Sequence, residues 1–205
     1  MKEKLYIFGA RGMALVVADT AKLLGYEVLG FIDDTPSAPI DVDGIKVISR
    51  LPTPEDNFKI IVAIGDCDAR YSIAERFNAE GYGFATIVHP SAIISQSARL
   101  SKGVFIEAGA IIDPNVMIDD YTIINKNVVV SHGTYIGKAC HLAPSSVVAG
   151  DCKLGDAVWV GVGAMVIEKL NIASRTYIGA GAVVIHDTNQ NTLVYGIPAK
   201  EVKTR

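Results

Sequence analysis

Residues 87–188 divide into seventeen consecutive hexapeptides with no insertion or deletion, and the second residue of every one is Val, Ile or Leu, from Val88 through Leu142 to Val184. Those residue types make up roughly a quarter of ordinary protein, so the register is not chance. One aliphatic per short unit buries nothing within that unit. Only stacking of equivalent units takes the ladder of side chains out of water, which makes this stretch a parallel β-solenoid.

Residues 4–85 obey a different rule. Short β-rich runs at 4–9, 27–32, 45–48 and 59–64 alternate with helical patterns at 12–24 and 66–80. That alternation predicts a parallel sheet in a Rossmann-like α/β domain. Residues 34–54, with Pro36, Pro39, Pro52 and Pro54, are expected to be loop around one short strand. The expected domains are 1–85 and 86–205.

The first strand meets the first helix at Ile7-Phe8-Gly9-Ala10-Arg11-Gly12. Gly9 permits a sharp turn, and a helix beginning at Gly12 offers its free N–H groups to phosphate. As a dinucleotide fingerprint the motif is incomplete, because no third glycine follows. Asp33 and Asp34 end the second strand, where a carboxylate suits a ribose or a base.

The net charge of -3 gives no basic field for a nucleic-acid backbone or an anionic membrane. The apolar run Leu5-Tyr6-Ile7-Phe8 is too short for a signal segment or a span, so a cytoplasmic protein is expected. Cys67, Cys140 and Cys152 form no C-x-x-C pair and read as buried free thiols.

The repeat resembles that of the hexapeptide-repeat acyltransferases, and the resemblance implies a left-handed parallel β-helix with three hexapeptides per coil. Seventeen units then make nearly six coils, roughly 27 Å of stacked strands. First-position residues point outward, since side chains alternate along a strand. Every third unit then lists one side of a triangular prism. Side A carries Ile87, Phe105, Ile123, His141, Trp159 and Tyr177, and side B carries Ile93, Ile111, Val129, Val147, Met165 and Val183. Side C, from Arg99 to Asn171, is mixed. Two apolar stripes predict subunit contacts and, for a prism, a homotrimer, unless the C-terminal segment covers one of them.

A closer resemblance spans nearly the whole chain. Asn125-Lys126-Asn127, Ser131-His132, His141-Leu142-Ala143-Pro144, Phe31-Ile32-Asp33-Asp34, Ile64-Gly65-Asp66 with Arg70, and Gly196-Ile197-Pro198-Ala199-Lys200 resemble the sugar acetyltransferases of sialic-acid and bacillosamine type. That family implies transfer of an acetyl group from acetyl-CoA to the amino group of a nucleotide-linked 4-amino sugar, with no metal. It makes His132 the general base, places His141 near the acetyl group and sets Asn125 near the acceptor. Gly9, Arg11, Gly12, Asp33, Asp34 and Gly65 are expected to hold the nucleotide sugar. Gly161, Gly163, Ala164, Gly179, Ala180 and Gly181 are expected to let coenzyme A lie close to the backbone, and the turn at 161–164 is expected to offer N–H groups to an oxyanion. Pro198 and Lys200 are expected near its nucleotide end.

This chain departs from the family at one place. The residue after the base is usually Asp or Glu and here is Gly133, and the residue before it is Ser131. His132 must then be oriented by another group, or the reaction leans more on positioning of the substrates. Alternatives remain at this level. An O-acetyltransferase acting on sialic acid would share every feature. An NAD-dependent oxidoreductase would use the same first turn and leave the solenoid unexplained. A zinc-dependent hydratase would need a closer histidine pair than His132 and His141.

Overall fold

A computed structural model describes residues 2–35, 39–54 and 57–204; Pro36, assigned above to loop, lies outside these. The first domain contains β1 (Lys4–Phe8), α1 (Gly12–Leu23), β2 (Glu27–Ile32), β3 (Asp41–Val42), β4 (Ile45–Ile48), β5 (Lys59–Val62) and α2 (Cys67–Ala79). Its sheet runs β3-β4-β2-β1-β5, parallel except for the β3-β4 hairpin. Leu5 and Ile7 join a cluster with Ala14, Val17, Ala18 and Ala21 of α1, while Phe8 joins Ala74 and Phe77 of α2 on the opposite face. The side chain of Asp66 caps α2 by accepting from Ala69 N–H at 2.8 Å.

Seventeen two-residue strands follow, β6–β22, from Ile87–Val88 to Val183–Val184. They form three parallel stacks in register eighteen residues apart, as in Val129↔Val147 and His141↔Trp159. The second-position aliphatics form one continuous core. The architecture is the left-handed parallel β-helix that the family resemblance implied. Its corners are regular: the fifth residue of each hexapeptide from Gly103 to Gly181 has positive φ. That conformation is least costly for Gly, Asn and Asp, and Asn115, Asn127 and Asp151 occupy it.

Side A is covered at its start within the chain: Ile87, Phe105 and Ile123 are buried in the same cluster as α1, while Trp159 and Tyr177 keep partial exposure. An apolar stripe is most readily buried by the element tethered nearest to it, and α1 presents small side chains that permit close packing. The C-terminal segment covers neither stripe. It forms β23 (Thr192–Gly196) and β24 (Ala199–Thr204), a hairpin that extends the side A sheet beyond β21 (Tyr177–Ile178), and its Val194 closes the end of the core. Side B stays open, with Ile93 65% and Met165 46% exposed.

Candidate active site

The two domains are locked together by Arg70, which is 1% exposed and faces no carboxylate in its bonds. Its guanidinium donates to the carbonyls of Ile64 (2.6 Å) and Gly65 (3.0 Å) in the first domain, and to those of Tyr121 (2.8 Å), Ala139 (2.7 Å) and Cys140 (2.9 Å) in the solenoid. A planar fork of five donors can satisfy diverging carbonyls that an ammonium cannot.

The Gly65 carbonyl also meets His141. Asn125 Oδ1 accepts from Lys126 N–H at 2.9 Å, leaving its Nδ2 to donate to His141 Nε2 at 3.4 Å. His141 therefore donates from Nδ1 to Gly65 O at 3.0 Å and is neutral. Burial first, then the charge of Arg70, holds its pKa down to about 4. The ring also packs on Trp159, which stacks on Tyr177. With both nitrogens engaged, His141 is a link between domains and not a proton acceptor. Glu107, which precedes Asn125 by one coil, is buried, and burial pushes its carboxyl up; the sequence reading passed it over.

A cleft of about 380 Å³ opens beside this junction at the carboxyl ends of β1, β2 and β5. Because the chain leaves β1 for β2 on one side and returns as β5 on the other, this is a topological switch point, where open α/β sheets bind ligands. The cleft is lined by Gly9, Arg11, Asp33, Asp34 and Gly65 among others, which brings together most of the residues assigned to the nucleotide sugar. Gly12 opens α1 at its edge, and that helix has neither a side-chain cap nor an acid in its first turn. Gly9 has φ 112° and crosses so close to Ala63 that a Cβ would stand 3.0 Å from the Ala63 oxygen. Asp33 Oδ1 is occupied within its own turn by the N–H and hydroxyl of Thr35, so Asp34 is the exposed carboxylate. Asn125 does not line the cleft; it stands behind Gly65, next to His141.

His132 lies elsewhere, at the corner that follows side B, and its side chain is 66% exposed. The imidazole lies over Gly150 of the next coil: a Cβ there would come within 2.6 Å of Cε1 and 2.8 Å of Nε2. Asp151 Oδ1 is 3.9 Å from His132 Nδ1. The sequence left His132 without a carboxylate, and the structure supplies one from one coil away.

The small residues of the later coils pack the solenoid. A Cβ on Gly161 would stand 2.6 Å from Ala180 N, and one on Gly179 would stand 2.9 Å from Tyr195 Cβ, so these glycines let coils close on each other. Ala164 is fully buried in the core. The N–H groups of Gly161, Gly163, Ala164, Gly179 and Gly181 already donate to the carbonyls of Ile178, Pro144, Gly161, Val194 and Val162, so they are not oxyanion donors. Gly163 and Gly181 have open space where a Cβ would stand, and Ala180, Pro198 and Lys200 are exposed. Among the described residues no group of three or more His, Cys, Asp or Glu side chains is placed to hold a metal ion, and no helix is long and apolar enough to cross a membrane.

A βαβ domain docked on a hexapeptide β-helix, with a cleft at the switch point and a histidine at a solenoid corner, is the architecture of a hexapeptide acyltransferase. Residues 4–77 match the PglD N-terminal domain family. PerB from Caulobacter crescentus, solved with CoA and GDP-perosamine, is 35% identical, with 98% of this chain and 97% of that one covered and a TM-score of 0.91. A histidine-to-alanine variant of the GDP-perosamine N-acetyltransferase of that organism, with the same two ligands, matches at 33% identity, the same coverage and 0.91. The acetyltransferase domain of PglB from Neisseria gonorrhoeae is 26% identical over 98% of this chain and all of that one, with TM-scores of 0.81 alone and 0.70 with acetyl coenzyme A. The chain belongs to the hexapeptide-repeat sugar N-acetyltransferase family.

Proposed function

We propose that this protein transfers the acetyl group of acetyl-CoA to the amino group of a nucleotide-linked 4-amino-deoxy sugar used in surface-glycan synthesis. The reading is carried by the end-to-end likeness to PerB, which was solved with CoA and GDP-perosamine. The switch-point cleft supports it, since the uncapped start of α1 suits a diphosphate and Asp34 suits the donor groups of a ribose or base. A GDP-linked sugar is the first acceptor to test. The protein is assigned to the cytoplasm.

In the reaction the sugar amine attacks the thioester carbonyl, the C–S bond breaks as the N–C bond forms, and coenzyme A leaves as its thiolate. The amine proton passes to His132, whose exposed ring has room for an acceptor, and then to the thiolate sulfur. His132 borders the open side B stripe and is not among the cleft residues. The working form is therefore a homotrimer in which His132 of one copy faces the cleft of the next. Coenzyme A is assigned to the groove past Gly163, Ala180 and Gly181, toward Pro198 and Lys200.

Steady-state thiol release with the acceptor varied tests this arrangement. Asp34→Ala is expected to raise the acceptor KM about tenfold, the loss of one or two hydrogen bonds, and to leave that of acetyl-CoA unchanged. An unchanged acceptor KM would remove the nucleotide from the cleft.

A further inference from the structure

We infer that Asp151 is the positioning carboxylate of His132, supplied from the next coil of the solenoid. The inference rests on the reading of His132 as the general base.

Positions 133 and 151 are the same corner on successive coils, and both backbones are left-handed there, at φ 67° for Gly133 and 59° for Asp151. Asp151 N–H donates to His132 O at 2.9 Å, which fixes the two corners against each other. The Asp151 carboxylate then turns back over Gly133 and fills the space that a Cβ on residue 133 would need. The missing side chain at Gly133 gives the Asp151 carboxylate this room, and a side chain at 133 would require that carboxylate to swing aside.

From there the carboxylate reaches the imidazole on the Nδ1 side, at 3.9 Å. Both side chains are largely exposed, so a small rotation of either closes this contact to a hydrogen bond. Proton donation from Nδ1 toward Asp151 selects the tautomer with its lone pair on Nε2, the form that can accept the amine proton. Gly150 adds the floor on which the ring lies. Both side chains of the pair are more than half exposed, so it contributes little to stability; its effect is on the orientation of the ring.

The test is a set of variants in the intact trimer, read by kcat and KM. Asn is at least as favourable as Asp in the left-handed region, so Asp151→Asn keeps the corner and removes the charge. It is expected to lower kcat about ten- to a hundredfold, less than the ~10⁴-fold that follows loss of the buried carboxylate in a serine-protease triad, and to leave both KM values within about twofold. In a His132→Ala background it should have no further effect, because it acts only through that ring. Combining Gly133→Asp with Asp151→Gly places the carboxylate at the adjacent position without overlap and should recover most of the lost rate. Wild-type kcat in Asp151→Asn, an equal loss with and without His132, or a double variant no better than Asp151→Gly would each overturn the inference. A fully active His132→Ala would instead overturn the base reading, whatever Asp151→Asn does.

Discussion

Arg70 carries the docking of the two domains, and Arg70→Met measures it. The substitution keeps an aliphatic chain in the site and removes every donor. Cys140 O retains the N–H of Ile123 and Gly65 O retains His141, but the carbonyls of Ile64, Tyr121 and Ala139 lose the guanidinium that serves them. Each buried acceptor left without a donor costs ~1–3 kcal/mol, and relaxation around a shorter side chain recovers part of it, so a net loss of about 3–5 kcal/mol is expected. For a chain of this size that corresponds to a Tm lower by roughly 6–20 °C. Arg70→Lys retains charge yet cannot span carbonyls that diverge from Ile64 to Ala139, and should lose more than half as much. Urea titration followed by the fluorescence of Trp159, the only tryptophan and packed on His141, reads the junction directly. An Arg70→Met protein within about 1 kcal/mol of wild type, with an unshifted fluorescence transition, would refute the claim that these carbonyls depend on the guanidinium.

Three further outcomes follow from the same geometry. The unfolded chain protonates His141 near pH 6.5 and the folded chain only near 4, so the unfolded state binds more protons between them; stability should be full above 6.5 and fall by about 3 kcal/mol on reaching pH 4. His141→Gln should flatten that slope in pH-dependent denaturation, and an unchanged slope would assign it to other groups. Gly150→Ala pushes the His132 imidazole off its floor, so kcat should drop at least about tenfold with little change in either KM; wild-type kcat would show that the ring position is not used. Val147→Asp charges the middle of the open side B stripe and should give monomers by light scattering with activity lost, whereas an active monomer would exclude a site shared between subunits.

Much of this molecule is legible in the sequence because two strict periods write it. Every second-position aliphatic from Val88 to Val184 is the inward residue of its strand, and α1 begins at Gly12 as its pattern predicts. The β3-β4 hairpin was obscured by the neighbouring prolines, although its Asp43-Gly44 turn, with φ 53° and 71°, is the strongest short hairpin signal. The covering of side A was not legible. An apolar stripe announces that it will be buried and says nothing about which surface will do it. Arg70 belongs to no repeat, and its partners are backbone carbonyls, which every residue carries. The partners of His132 could have been found by adding one coil to its number, since the period that sets the core also stacks Gly150 and Asp151 on the corner at His132 and Gly133.

Acetyl transfer to a sugar amine presented on a nucleotide is the reaction this architecture supports. Release of coenzyme A thiol, matched with the mass of the product, tests it most directly on three acceptors: a GDP-linked 4-amino sugar, the same amino sugar without its nucleotide, and the 4-hydroxy nucleotide sugar. One thiol is expected per acetyl group gained with the first, and at least about a hundredfold lower kcat/KM with the other two, since one lacks the binding energy of the nucleotide and the other the nucleophile. Equal turnover of the free and nucleotide-linked sugars, or acetylation of the hydroxyl in preference to the amine, would contradict it.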